Sequence, residues 1–141
     1  MAADKRRIER LRRLERLRAI TKQQAAGESA QAERVLAQLH ELTERTRGLT
    51  EEYASRGDAA NGYMLAQSSR FAAGLCKILN STNQDAGTAQ VIADRKRADL
   101  ASAERRRAAV EDRLNIEERA LSRREDFRQI EAKSKFGTDL D

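Results

Sequence analysis

Two series of mostly small and apolar residues, spaced alternately three and four positions apart, occupy nearly the whole chain and flank one short cluster of turn formers. The first runs Leu11, Leu14, Arg18, Thr21, Ala25, Glu28, Ala32, Val35, Leu39, Leu42, Thr46, Leu49, Tyr53. The second runs Leu65, Ser68, Ala72, Leu75, Leu79, Thr82, Ala86, Ala89, Ala93, Lys96, Leu100, Ala103, Arg107, Val110, Leu114, Glu117, Leu121. A 3-4 alternation puts one narrow stripe on an α-helix, the pattern of a coiled coil. Proline is absent, so nothing forces a break in either series.

Gly57-Asp58-Ala59-Ala60-Asn61-Gly62 separates the two series and is the place for the chain to reverse. The expected fold is therefore all-α: one long antiparallel coiled-coil hairpin occupying 1–141 as a single domain. Its helices are expected over 4–56 and 61–133, with the loop at 57–62 and a flexible tail at 134–141, where Gly137 acts as a stop. In an antiparallel pair, residues that share a layer have numbers with a constant sum. A sum of 121 centres the reversal between Ala60 and Asn61 and pairs Leu42 with Leu79, Leu39 with Thr82 and Leu11 with Val110. Ala32 then meets Ala89 and Val35 meets Ala86, with Gly27 and Gly87 nearby, so the helix axes are expected to approach closely and to bend at the glycines. The same sum sets Asp4 against Glu117 and leaves Glu118 to Lys133 overhanging as one helix.

Charged residues make up 36% of the chain and aromatics 4%, a balance suited to a narrow seam with solvated flanks rather than a globular core. No run approaches the roughly 20 apolar residues that span a bilayer, and the first residues form no apolar signal core. With the single cysteine Cys76 excluding an intrachain disulfide, the expected location is the cytosol. The net charge of +5 is concentrated between Asp4 and Arg18, where eight cations face three anions. Such a segment attracts an acidic protein surface, a nucleic acid or an anionic membrane, and charge alone does not choose among them.

No phosphate-binding glycine loop, metal-ligand spacing or Ser-His-Asp set occurs, so the chain reads as non-enzymatic and without a cofactor. His40 and Cys76 fall at similar heights, but this register puts His40 on the outer face and Cys76 beside the seam, which argues against a nucleophile-base pair. The arginine clusters lie within a few residues of Glu or Asp, as solvated coiled-coil flanks do. The aromatics that stack nucleobases are missing there, so nucleic-acid binding is not favoured. Met64, Phe71 and Ile78 recur every seven residues beside the second seam, while the adjacent positions of the first helix in this register are polar (Gln38, Arg45, Glu52). That stripe is expected to stay partly exposed and to serve either as a docking face or as a surface for self-association. Leu121, Phe127 and Ile130 on the overhang have no expected partner within the chain.

The basic start Arg10-Leu11-Arg12-Arg13-Leu14-Glu15-Arg16-Leu17, the mid-chain reversal and the segment after it resemble the FliJ family, and also its counterparts in virulence-type III secretion. The apolar face by which FliJ proteins bind the linker of the export gate FlhA has spacing i, i+4, i+7, i+11, which falls here on Phe71, Leu75, Ile78 and Thr82, with Met64 on the same side; Thr82 departs from the pattern. The resemblance implies a stalk in the flagellar or type III export apparatus, in the cytoplasm and peripheral to the inner membrane at the flagellar base. Its partners would be the hexameric export ATPase FliI, FlhA and export chaperones. Arg6, Arg10, Arg13, Leu17, Leu121, Arg124, Phe127 and Ile130 would face the ATPase ring. The alternatives are a self-associating structural coiled coil, including a homodimer, and a basic binder of nucleic acid or membrane surface.

Overall fold

A computed structural model describes residues 2–55 and 61–138. Helix α1 spans Ala2–Ser55 and α2 spans Gly62–Thr138, and no strand occurs among the described residues. Met1, Arg56, residues 57–60 of the expected 57–62 loop and 139–141 lie outside the described residues. Asn61 caps α2. Its Oδ1 accepts from the Met64 N–H at 2.8 Å, which satisfies one of the donors that a helix start leaves open, and its carbonyl accepts the first helical bond, from the Leu65 N–H at 3.1 Å. The described glycines all keep negative φ, so Gly137 does not form a left-handed cap, and α2 continues into the stretch expected as a tail.

The contacts divide into two compact units, Met1–Ala25 with Leu100–Asp141 and Ala26–Asp99. In each unit a stretch of α1 packs antiparallel against a stretch of α2, which is the expected all-α coiled-coil class.

In the second unit the core cluster is Leu36, Ala89 and Ala93, with Ala32 and Leu39 packed against it. Ser29, Thr43, Thr46, Leu75, Thr82 and Ala86 are also buried. The burial pattern pairs Leu36 with Ala89, Ala32 with Ala93, Leu39 with Ala86 and Thr43 with Thr82, numbers that add to 125 in every layer. The expected 121 is therefore wrong by four residues, about one helical turn. The α2 series holds from Ala72 onward, whereas Leu65 and Ser68 are exposed. On α1 only half the series holds. Val35, Leu42 and Leu49 lie outside the seam, 39%, 46% and 44% exposed, and the adjacent Leu36, Thr43 and Thr50 take their places. The physical reason is that α1 carries three parallel rows with apolar members, and one facing helix covers only two.

The first unit has the same 3-4 rhythm, with Ile8 and Ala103 buried and Leu11, Arg18, Leu100, Arg107 and Leu114 half-buried. Its layers also add to 125: Ile8 with Glu117, Leu11 with Leu114, Arg18 with Arg107. Leu14 belongs to the row left outside and is 38% exposed. Much of this seam is ionic. Arg12 reaches Glu118 at 2.8 Å, Lys22 reaches Glu104 at 2.8 Å and Arg124 reaches Asp4 at 2.8 Å. The one-turn shift also corrects the overhang: Glu118 to Glu125 lies beside α1, Leu121 is half-buried, and the fully exposed run covers 126–137.

A Cβ built on Gly27 or Gly87 meets nothing within 4 Å. Neither glycine therefore lies against a neighbouring group at the position a Cβ would take.

Candidate protein-binding faces

Two antiparallel helices leave two edges along their seam, and in the second unit the edges differ in chemistry. One edge is charged and polar. Arg97 Nε donates to Glu33 Oε1 at 2.6 Å, and that bond, then the carboxylate's charge, raises the guanidinium's pKa. His40 and Cys76 are both exposed on this edge, so the corrected register moves His40 from the outer face to the same side as the thiol. The opposite edge is apolar. It carries Val35, Leu42 and Leu49 of α1 alongside Phe71, Ile78 and Ile92 of α2, the last three 47%, 50% and 48% exposed. The neighbours of the α2 stripe on α1 are thus leucines and a valine, where Gln38, Arg45 and Glu52 were expected. Ile92 extends the seven-residue repeat of Met64, Phe71 and Ile78 beyond Asp85, a continuation readable in the sequence once the acidic interruption is passed over.

Of the residues assigned to gate binding by resemblance, Met64, Phe71 and Ile78 are open to solvent, whereas Leu75 and Thr82 are 7% and 5% exposed in the seam. An i, i+4, i+7, i+11 set straddles two rows of α2, and the inner row is occupied by packing against α1. Thr82 does not lack a partner there: its hydroxyl donates to the Ile78 carbonyl at 2.7 Å. Near the capped end of α2 the Phe71 ring lies against Tyr53 with centroids 4.4 Å apart and planes tilted by 46°. Tyr53, Met64, Gln67, Ser68, Arg70 and Phe71 line an open depression of about 600 Å³. Its lining combines the two rings and Met64 with the polar Gln67, Ser68 and Arg70.

In the first unit, Arg6, Arg10, Arg13 and Leu17 share the solvent face of α1, and Ile20, 57% exposed, continues it. Leu121 faces inward with Ile8, Lys5 and Arg12 around a depression of about 460 Å³, and Arg124 is engaged with Asp4. Phe127 and Ile130 are 70% and 63% exposed, and Phe136, placed in the tail by sequence, is 76% exposed on the same helix. The eight residues assigned to the ATPase ring therefore split into an outer α1 face, an exposed end of α2, and two residues already engaged within the unit.

The ionic layers of the first unit centre on Arg107. Its guanidinium holds Glu104 at 2.9 Å and Glu111 at 2.9 Å and lies 3.7 Å from Glu15. Hydrogen bonds from Arg107 and then from Lys22 pull the Glu104 carboxyl down to about 2, and the same Glu104 bond raises Arg107. With these carboxylates on Arg107, the Nε of Arg18 in the facing position is buried without a hydrogen-bond partner.

Among the described residues, no helix is long and apolar enough to cross a membrane, and no group of three His, Cys, Asp or Glu side chains is placed to hold a metal ion. No protein-family description, curated protein or solved structure matches the chain.

Proposed function

We propose that the chain is a non-enzymatic coiled-coil adaptor of the FliJ kind, a stalk of the flagellar or type III export apparatus that binds an export ATPase ring and an export gate. The observation that carries the reading is the Met64, Phe71 and Ile78 row, which stays open to solvent after α1 has packed against α2. Large apolar side chains left uncovered beside an otherwise complete seam serve as anchors for another protein, each contributing about 1.5 to 3 kcal/mol when fully buried. In this reading the first unit offers the ring its arginine face at Arg6, Arg10 and Arg13 and the exposed α2 end at Phe127 and Ile130. The location would be cytoplasmic, at the inner face of the membrane beside the export gate, with export chaperones as further partners. Adding the purified chain to the cognate export ATPase should promote ring assembly or raise ATP turnover, and no change in either would count against the proposal. Phe71→Ala with Ile78→Ala should weaken gate binding by roughly tenfold or more while helicity is retained, since about 1.4 kcal/mol of lost anchor contact is already tenfold. Unchanged affinity would remove the gate assignment.

A further inference from the structure

We infer that the apolar edge of the second unit is a self-association face, and that its occupant is the same edge of a second copy of this chain. The edge presents Val35, Leu42 and Leu49 on α1 and Phe71, Ile78 and Ile92 on α2, each between 39% and 50% exposed. Taking a large side chain as roughly 150–250 Å² in full, six of them offer on the order of 500 Å² per copy. Two copies brought edge to edge therefore cover about 1,000 Å², the lower bound for a specific protein interface. An isolated helix pair of this kind has an apolar patch at the upper end of what monomers expose.

Charge selects a twin over a strongly charged partner. The stretch 26–99 has nine Lys and Arg against ten Asp and Glu, close to neutral, so it neither repels its own copy nor recruits a markedly acidic or basic surface. Along the rim, Gln31, Gln38, Gln67, Ser81 and Thr88 can hydrogen-bond to a symmetry mate, and the charged members of the same rows, Arg45, Glu52 and Arg95, carry both signs and stand at the solvated margin. Asp85 is the one charged member of the α2 row between Phe71 and Ile92; it lies beside Leu42, so a contact centred on Leu42, Leu49 and Ile78 must leave its carboxylate hydrated. A two-fold axis through that centre makes the contact isologous and closed, which caps assembly at a pair and gives four helices around one apolar core.

The inference does not rest on the export reading, although the two surfaces overlap. Gate and twin would compete for Phe71 and Ile78, so the paired form is the one expected when no other partner is present.

Sedimentation equilibrium of the full chain over a wide concentration series should give a mass that climbs from 15.9 kDa toward twice that value. Leu42→Glu with Ile78→Glu should hold the mass at the monomer throughout, with the helical circular dichroism unchanged. Gln90→Glu, on the opposite edge, should leave the climb intact. If the double glutamate variant unwinds, Leu42→Ser with Ile78→Ser reads the same face without added charge, and it too should stay monomeric. A strict monomer at the highest concentration overturns the inference and leaves the edge to a foreign partner. A pair that survives both double variants overturns it as well, because the contact would then lie elsewhere.

Discussion

Thr43, Thr46 and Thr82 are 5%, 4% and 5% exposed, in seam positions where leucine would be the default. Each hydroxyl donates to the carbonyl four residues earlier, to Leu39 at 2.9 Å, Leu42 at 2.8 Å and Ile78 at 2.7 Å, so burial leaves no donor unpaired and the methyl group does the packing. This is why polarity misleads at these sites: the chemistry that satisfies the hydroxyl is local to its own helix. Asn61 shows the same economy at a helix end, and Asn61→Ala should lower stability by about 1 kcal/mol in a denaturant titration, the usual cost of a lost N-cap. Glycine works in the other direction. Gly87→Ala places a methyl group where nothing lies within 4 Å, inside a continuous helix, and should raise stability by up to about 1 kcal/mol. Glu104 supplies a pH dependence. Its carboxyl falls from the ordinary 4.5 to about 2 in the folded chain, so its contribution is complete above 4.5 and disappears as pH drops toward 2. The melting-temperature gap between the wild type and Glu104→Gln should therefore be full at neutral pH and close across that window. A constant gap would show that Arg107 and Lys22 do not hold the carboxylate.

At the scale of the element, α2 was readable and α1 only half so. From Ala72 to Leu121 every expected seam residue of α2 is buried or half-buried, while its third apolar row, Ile78 and Ile92, is interrupted by Asp85 and stays outside. In α1 a third row competes. Val35, Leu42 and Leu49 are more apolar than Ser29, Thr43 and Thr50, so hydropathy favours them, yet the structure seats the row containing Ile8, Leu36 and the threonines. Spacing could not decide, since both rows stand in 3-4 alternation with the shared Leu11, Ala32, Leu39 and Tyr53. The turn cluster could not decide either, because shifting the centre from 60–61 by two residues still falls at its edge. Alanine scanning distinguishes the two registers directly. Leu36→Ala should cost about 2 kcal/mol or more, since it removes the largest member of the core cluster, whereas Leu42→Ala, nearly half exposed, should cost less than about 1 kcal/mol. Equal losses, or the reverse order, would restore the register that spacing alone suggested.

For the whole molecule, the candidate site was legible as a row on α2 but not as an edge, because its α1 half was hidden by the register error that placed Leu42 and Leu49 in the core. Of the residues assigned to the gate by resemblance, only those on the outer row, Met64, Phe71 and Ile78, are open to solvent. The charge distribution gives the two units different sensitivities. The stretch 26–99 is nearly neutral and its core cluster is leucine and alanine, while the remainder holds the net positive charge and seats Glu15, Arg18, Lys22 and Arg107 along its seam. Raising the salt from about 0.1 M to about 1 M shortens the screening length from roughly 10 Å to roughly 3 Å and weakens ion pairs that remain in contact with water. It does not weaken apolar burial, and sulfate strengthens it. Amide hydrogen exchange in sodium chloride, which screens without that added effect, should therefore speed up across Asp4–Lys22 and Leu100–Leu121 while Ala32–Tyr53 and Ala72–Ala93 keep their protection. If Arg18 and Arg107 repel more than their carboxylates compensate, screening would relieve that repulsion and the first unit would gain protection. A slowing in that unit would therefore mean that the arginine layer, with its buried Arg18 Nε, is a net cost to the fold and that the seam there is held by Ile8, Leu11, Ala103 and Leu114 instead.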